Sequence, residues 1–380
     1  MPRHPQVAAE IRATPGSIFS RLVERARGSG RRVLPLHIGD TYLEAPAGCR
    51  MQDLDCAAID GLHRYAPVEG LSALLERVAG TVAQRQGVPT EAGDVLVTAG
   101  ATGGLGAIFG AITEPGDEVL VPAPYWPLIT GVIRGAHARP VAVDTLDVVD
   151  GSALVERLAA ALTPRTVALY VNTPNNPTGK MLPASTLGAL AAFARANDLW
   201  LVADEVYEDY AYAAPHVPLR PLAPERTFSV HSFSKAYGMA GNRCGFVVSP
   251  PELTAELRKI SVHAFYATPT AAQHAALRAM SGPGERFVAE ARATYLAAGA
   301  ALAQTLGVAS PEAGTFLFLE LSGRALSATG ILEACAGEGL LLAPGSGFGP
   351  YPDHARMCFT ARPAAEIAAA GEILARHLSI

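Results

Sequence analysis

At 380 residues, with 49% hydrophobic and 17% charged side chains, the chain has the apolar content of a well-buried globular protein and excludes a disordered one. Its length suits one large domain joined to a smaller one. The formal net charge of -5 at pH 7 is spread along the chain, which leaves no basic block of the kind nucleic acid needs.

In chain order, the first feature is "ERARGSGRR", a locally basic helix end followed by a turn. From residue 94, short apolar runs alternate with helical stretches. The runs at 94–98, 118–122, 139–143, 166–172, 199–205, 227–232 and 244–249 predict strands, with helices such as 184–198 between them. Such short apolar strands, separated by helices, predict a largely parallel sheet covered on both faces. Its functional loops then lie at the carboxyl ends of the strands. Beyond residue 270, alanine-rich helices at 286–306 and 363–377 flank strands at 315–321 and 355–361. This texture predicts a smaller α+β domain, completed by the N-terminal segment. The expected division is 1–45 joining the small domain, 46–275 as the large domain and 276–380 as the small C-terminal domain.

The five cysteines, Cys49, Cys56, Cys244, Cys335 and Cys358, form no CxxC pair and are odd in number. A reducing compartment is expected over a disulfide framework. None of the ten histidines falls in an HExxH pattern, so no metal is expected. The N-terminus has no apolar run of signal-peptide length, and no later stretch reaches bilayer length without charge or proline. A cytoplasmic protein with no membrane or nucleic-acid partner is the expectation.

Six segments carry residue types that plain folding does not require. In "VTAGATGGLGAIFGAI" (97–112) a strand runs through glycines into a helix. The free N–H groups of a helix start suit a phosphate, although a tight packing turn explains the pattern as well. The glycines do not fall into GxGxxG, which disfavours a dinucleotide. In "PAPYWP" (122–127) an aromatic residue at a strand end either stacks on a planar ring or anchors the loop. "VNTPNNPTGK" (171–180) is rich in turn formers, yet sets two adjacent asparagines at a strand end, where an amide can donate to a ligand. In "VADEVYEDY" (202–210), Asp204 ends a buried strand, where a carboxylate is costly unless paired. A helix cap or a cationic ring nitrogen would satisfy it, with Tyr207 three residues on. "SVHSFSKAYGMAGNRCGF" (229–246) holds Lys235 and Arg243, and "HARMCFTAR" (354–362) sets Arg356 in an apolar strand, where a carboxylate is its natural bidentate partner. Together these supply an anion cradle, an aromatic plate, an amide donor, a buried carboxylate, an amine and a carboxylate clamp. Those are the handles that pyridoxal phosphate and an amino-acid substrate require.

The combination of "NNPTG", "ADEVY" and "SFSK" followed by Arg243 resembles the fold-type I, class I/II pyridoxal-phosphate aminotransferases of the aspartate and aromatic aminotransferase superfamily. The resemblance runs from "LHIGDTYLEAP" and "RYAPVEGLSALLERVA" to "APGSGFG" and "ARMCFT". It implies an α/β large domain with a mostly parallel seven-stranded sheet, a smaller α+β domain, and a homodimer with shared active sites. It also implies amino transfer from an L-amino acid to a 2-oxo acid. Lys235 is implied as the residue that forms the Schiff base with pyridoxal 5'-phosphate and moves the α-proton. Asp204 is implied to pair with the ring nitrogen, Tyr207 and Asn176 to bond the phenolate oxygen, and Trp126, ahead of Tyr125, to stack on the ring. Ala101, Thr102, Ser232, Ser234 and Arg243 are implied to hold the phosphate, with Tyr65 reaching the phosphate of the partner subunit. Arg356 is implied to bind the substrate carboxylate, helped by Asn176 and the Gly39 backbone.

Three departures qualify this picture. "IGDTYLEAP" lacks a proline between its glycine and aspartate, Asn242 stands where many relatives carry tryptophan, and Thr102 stands where some aspartate-using relatives have lysine. With no obvious second basic group, a neutral or aromatic amino donor is expected over a dicarboxylate. A carbon–sulfur β-lyase is the nearest alternative enzyme. A non-catalytic, effector-binding relative of transcription regulators is a remote one, because only about forty residues precede the site segments.

Overall fold

Apolar runs of four to seven residues become the strands of the central sheet in a computed structural model that describes residues 4–14, 16, 20–148 and 150–378. Residues 1–3, 15, 17–19, 149, 379 and 380, which the expected domain spans include, lie outside the described residues. The strands are β1 (Leu34–Pro35), β2 (Val95–Thr98), β3 (Glu118–Ala123), β4 (Arg139–Asp144), β5 (Thr166–Asn172) and β6 (Trp200–Asp204), followed by β7 (Thr227–Ser232), β8 (Gly245–Val248), β9 (Phe316–Glu320), β10 (Leu340–Leu341), β11 (Ala343–Pro344) and β12 (His354–Cys358).

Seven of them form one sheet in the order β2-β8-β7-β6-β5-β3-β4. All pairings are parallel except those of β8, which runs against both β7 and β2. The segment 233–244 between β7 and β8 holds only the short helix Phe233–Ala236 and a turn. A four-residue helix is too short to serve as the crossover helix that a parallel return uses.

The central strands alternate between two buried faces, as a sheet covered on both sides demands. Val119, Val121, Tyr170 and Val202 pack with Leu105, Ile108 and Phe109 of the helix Gly100–Ile112. Leu120, Leu169, Leu201 and Ala203 pack with Leu187, Leu190 and Phe193 of the helix Ala184–Ala196 on the other side.

A second cluster is built on the antiparallel sheet β11-β12-β9 and the parallel pair β1-β10, with the helices Gly282–Leu306, Ala328–Gly337 and Ala364–Leu378. Leu22, Ala26, Leu34 and Leu36 from the N-terminal segment belong to this cluster. The three two-residue strands were too short to show any period in the sequence. Helix Gly282–Leu306 starts four residues before the expected 286, with Pro283 in its first turn, where proline is tolerated. Among the described residues, no helix is long and apolar enough to cross a membrane.

Candidate active site

Strands β2, β3, β5, β6 and β7 run in one direction, so the loops that leave them meet at one end of the sheet. Together with the N-terminal segment and β12 they line a cavity of about 330 Å³. Ala101, Thr102, Trp126, Asn176, Asp204, Tyr207, Ser232, Ser234, Lys235, Arg243, Gly39 and Arg356 all face it.

One wall is a concentration of donors. Gly100 opens the helix Gly100–Ile112 at φ +69°, and a Cβ there would lie 2.5 Å from Arg243 Nη2. Glycine is therefore what lets the guanidinium rest against the helix start. Ala101 and Thr102 follow in its first turn, where N–H groups are free of intrahelical partners. Ser232 ends β7 and its Oγ accepts from the Ser234 amide at 3.1 Å, capping the short helix that carries Lys235. Arg243 itself adopts φ +51° and donates to the Ala240 carbonyl at 2.9 Å.

The floor holds a carboxylate. Asp204, at the end of β6, is 4% exposed. Its Oδ2 accepts from Tyr170 Oη at 2.6 Å. Burial pushes its pKa up to about 6, against the opposing hydrogen bond from Tyr170 and the charge of His231. Asp204 makes no ion pair among the described residues. Asn172, opposite it in β5, donates to the Asp204 carbonyl at 2.9 Å and accepts from the Asn176 amide at 2.8 Å. That pair of bonds locks the asparagine-rich loop to the floor. Tyr207 is buried beside Asp204, and burial raises its phenol pKa.

Lys235 projects between these walls, and its Nζ donates to the Gly39 carbonyl at 2.6 Å. Burial lowers its pKa, the nearby Asp40 carboxylate raises it, and Arg356 and Arg243 lower it further. Gly39 is pressed against the small sheet, where a Cβ would meet Phe316 Cζ at 2.6 Å.

At the far side, Arg356 rises from the middle of β12 into the cavity. Its guanidinium carbon lies 4.1 Å from the centroid of Phe316 and 4.7 Å from that of Phe348. Nη1 donates to Asn176 Oδ1 at 2.8 Å and Nη2 to the His37 carbonyl at 2.6 Å. Nε has no hydrogen-bond partner, and no carboxylate pairs with Arg356, among the described residues. Burial lowers its pKa to about 10, so it is charged at neutral pH. His37, beside it, is driven down to about 4 by burial and by that charge, and is neutral.

Tyr65 stands apart. It is 85% exposed and does not line the cavity, and its ring lies 4.6 Å from that of Tyr266 on the surface. Tyr125 turns away from the cavity into the core cluster and a second cavity behind it. Asn242 is also outside the cavity lining, with its Nδ2 buried and lacking a hydrogen-bond partner among the described residues.

Sequence reasoning missed Tyr170, Asn172 and His37. For Tyr170 and Asn172 a signal existed: "TVALYVN" alternates, so positions 170 and 172 share a face and end beside Asp204. His37 acts through its carbonyl, which leaves no side-chain signature.

Comparison with known proteins gives this arrangement its setting. The family model "Aminotransferase class I and II" matches residues 32–374. The chain belongs to the class I and II aminotransferases. A probable aspartate/prephenate aminotransferase of Thermus aquaticus is 34% identical over 310 residues, which span 80% of this chain and 81% of that protein. An arginine–pyruvate transaminase of Pseudomonas aeruginosa is 32% identical, over 84% of each chain. The solved structure of Thermus thermophilus aspartate aminotransferase with maleate superimposes with a TM-score of 0.89 at 30% identity, covering 98% of this chain and 100% of that one. The protein is thus a fold-type I aminotransferase of a family that uses pyridoxal phosphate, and its substrates are an amino acid and a 2-oxo acid.

Proposed function

We propose that this aminotransferase binds pyridoxal 5'-phosphate in the 330 Å³ cavity and takes the amino group of a neutral or aromatic L-amino acid. The observation that carries the reading is a pair of opposite charges left without counter-ions in one cavity. Among the described residues, Asp204 is a buried carboxylate in no ion pair, and Arg356 is a buried cation with no anion. A buried charge is tolerated only when something pairs with it. A cationic ring nitrogen at the floor and a substrate carboxylate at β12 would complete both.

The rest of the lining fits the same group. The free N–H groups of Ala101 and Thr102, the hydroxyls of Ser232 and Ser234, and Arg243 suit its phosphate. Trp126 offers a ring face, and Asn176 and Tyr207 offer donors for the phenolate oxygen. When bound, pyridoxal phosphate supplies a carbonyl that exchanges for the amino group and a ring that accepts electrons from the α-carbon. The chain's own residues do the remainder. Arg356 and Asn176 orient the amino acid by its carboxylate. Lys235, whose pKa burial lowers, holds or releases a proton at Nζ. Asp204 holds a negative charge where water is excluded.

The amino donor is argued from what the mouth lacks. Lys235, Arg243 and Arg356 are the cationic lining residues, and each already has a task. Thr102 adds no charge, and Ile38 and Leu128 are 52% and 60% exposed beside the opening. That surface favours an apolar or aromatic side chain over a second carboxylate. Among the similar structures, the Thermus thermophilus enzyme is seen with maleate and a mutant of it with tryptophan.

The exposed Tyr65 supports a homodimer in which that side chain reaches the partner's phosphate site. The small-domain cluster and the large-domain clusters support a division near residue 45 and just past residue 275, since Ala276, Ala279 and Met280 still pack with Leu74, Val78 and Phe246. The five free cysteines support a cytoplasmic location. The test is a panel of amino acids added to the cofactor-loaded enzyme, following the visible absorbance as the cofactor becomes aminated. Neutral or aromatic amino acids should convert it, and Lys235→Ala should abolish conversion. Aspartate converting it faster than every neutral or aromatic member would overturn the substrate assignment. A band unchanged across the panel would overturn the site.

A further inference from the structure

Tyr170 does not line the catalytic cavity, yet its hydroxyl makes the shortest contact with Asp204. Its ring belongs to the apolar cluster of Phe109, Val202 and Phe228, and 1% of its surface is exposed. Its hydroxyl donates to Asp204 Oδ2 at 2.6 Å, and has no second partner among the described residues. In the register of β5 and β6, Tyr170 stands opposite Val202, two residues before Asp204 on the same face.

The bond runs in one direction. Burial drives the Tyr170 phenol well above its ordinary pKa, so it keeps its proton and donates. A donor to the ionised form favours that form. The other groups facing Asp204 are His231 from β7, which also favours the carboxylate, and Glu205, which opposes it. The Val206 amide approaches at 3.5 Å, and Tyr207 lies alongside. His231 is itself held by Glu208 at 2.8 Å and Ser229 at 3.0 Å. Tyr170 is therefore the one side chain among the described residues that hydrogen-bonds the Asp204 carboxylate.

We propose that Tyr170 is a positioning residue for amino transfer: from behind the cavity floor its hydroxyl holds Asp204 in place and ionised, so that a cationic ring nitrogen meets a carboxylate and not a carboxylic acid. The proposal rests on the pairing of Asp204 with the cofactor's ring nitrogen argued above. Tyr170→Phe keeps the ring and its packing and removes only the bond. Burial then acts on Asp204 with its strongest opponent gone.

The experiment uses Tyr170→Phe in two measurements. In cofactor-free protein labelled with carboxyl-13C aspartate, the Asp204 signal, assigned through Asp204→Asn, should titrate about one to two pH units higher than in wild type. Affinity for pyridoxamine 5'-phosphate, which does not bond covalently to Lys235, is then measured from pH 6 to 9. Relative to wild type it should fall about tenfold at pH 6, where the variant's Asp204 is protonated, and converge near pH 9. An Asp204 titration unchanged by Tyr170→Phe overturns the proposal. So does an affinity lost by the same factor at every pH, which is what damaged packing alone would give. If Asp204→Asn binds pyridoxamine 5'-phosphate as tightly as wild type, the ring-nitrogen pairing fails and the proposal with it. The carboxyl titration tells that failure apart from a failure of Tyr170 to act on Asp204.

Discussion

Arg356→Lys isolates what the clamp contributes, because it keeps the positive charge and changes its shape. The guanidinium is held flat by Phe316 and Phe348, at 4.1 and 4.7 Å, and by its bonds to Asn176 Oδ1 and the His37 carbonyl. Those contacts use one N–H of each Nη and leave Nε, on the side edge of the fork, without a hydrogen-bond partner among the described residues. A carboxylate can meet that edge with two parallel bonds, whereas an ammonium offers a point charge on a mobile stem. Losing one charge-assisted bond removes about 1.5–3 kcal/mol, and losing the aromatic stacking about 0.5–1 kcal/mol more. The sum of about 2–4 kcal/mol corresponds to a fall in kcat/KM of about 30- to 1000-fold for the amino acid.

The assay compares each amino acid with the amine that lacks its carboxylate, in single turnover on the loaded enzyme. The amine never engages Arg356, so its rate should change less than about threefold if the defect is confined to the clamp. The loss should therefore be specific to substrates with a carboxylate. Equal losses for amino acid and amine would show that Arg356 acts by supporting the fold, and would refute the clamp.

Three further outcomes follow from the geometry. Gly100→Ala places a methyl 2.5 Å from Arg243 Nη2 at a backbone φ of +69°; it should cost about 1–2 kcal/mol of stability in thermal unfolding and weaken cofactor binding in equilibrium dialysis. A mixed dimer of Lys235→Ala and Tyr65→Ala subunits should regain one complete site, because the subunit with Lys235 then receives Tyr65 from its partner; mixtures as inactive as Lys235→Ala alone would place Tyr65 outside the partner's site. The folded-state pKa of Asp204, about 6 against an ordinary 3.8, means that between these values the folded state binds more protons than the unfolded one. Stability of the ligand-free enzyme therefore falls as pH rises from about 4 to 6, by about 3 kcal/mol relative to Asp204→Asn. Urea unfolding of the two proteins should diverge across that window and run parallel above it.

Much of the site was legible because its residues break a local pattern. Asp204 ends an apolar strand, Asn176 and Lys235 lie just past two others, and Arg356 interrupts one, so each called for a partner. Tyr170 broke nothing, since an aromatic ring is an ordinary strand residue, and only the β5–β6 register revealed what its hydroxyl touches. Phe316 and Phe348 read as plain core residues until β9 and the loop before β12 bring them to either side of Arg356. The reversal of β8 was likewise hidden, because strand direction depends on the length of the connection and not on the strand's own residues. Backbone contributions such as the Gly39 and His37 carbonyls carry no side-chain mark at all.

The arrangement also explains why the two unpaired charges do not simply neutralise each other. Asp204 ends a strand of the central sheet and Arg356 rises from the small one, and the residues between them are neutral amides. Arg356 donates to Asn176 Oδ1, the Asn176 amide donates to Asn172 Oδ1, and Asn172 donates to the Asp204 carbonyl. Each link satisfies a buried polar group without transferring charge, so the chain of bonds holds anion and cation at a fixed separation. Were either charge on a flexible loop, the two would close into an internal ion pair, and neither would be left for a cationic ring nitrogen or a substrate carboxylate. The ligand-free fold is therefore less stable than its packing permits, and the deficit is concentrated where binding can remove it. Asn172 and Asn176 are the spacers that make this possible, which gives the paired asparagines of the loop and strand end a role beyond forming a turn.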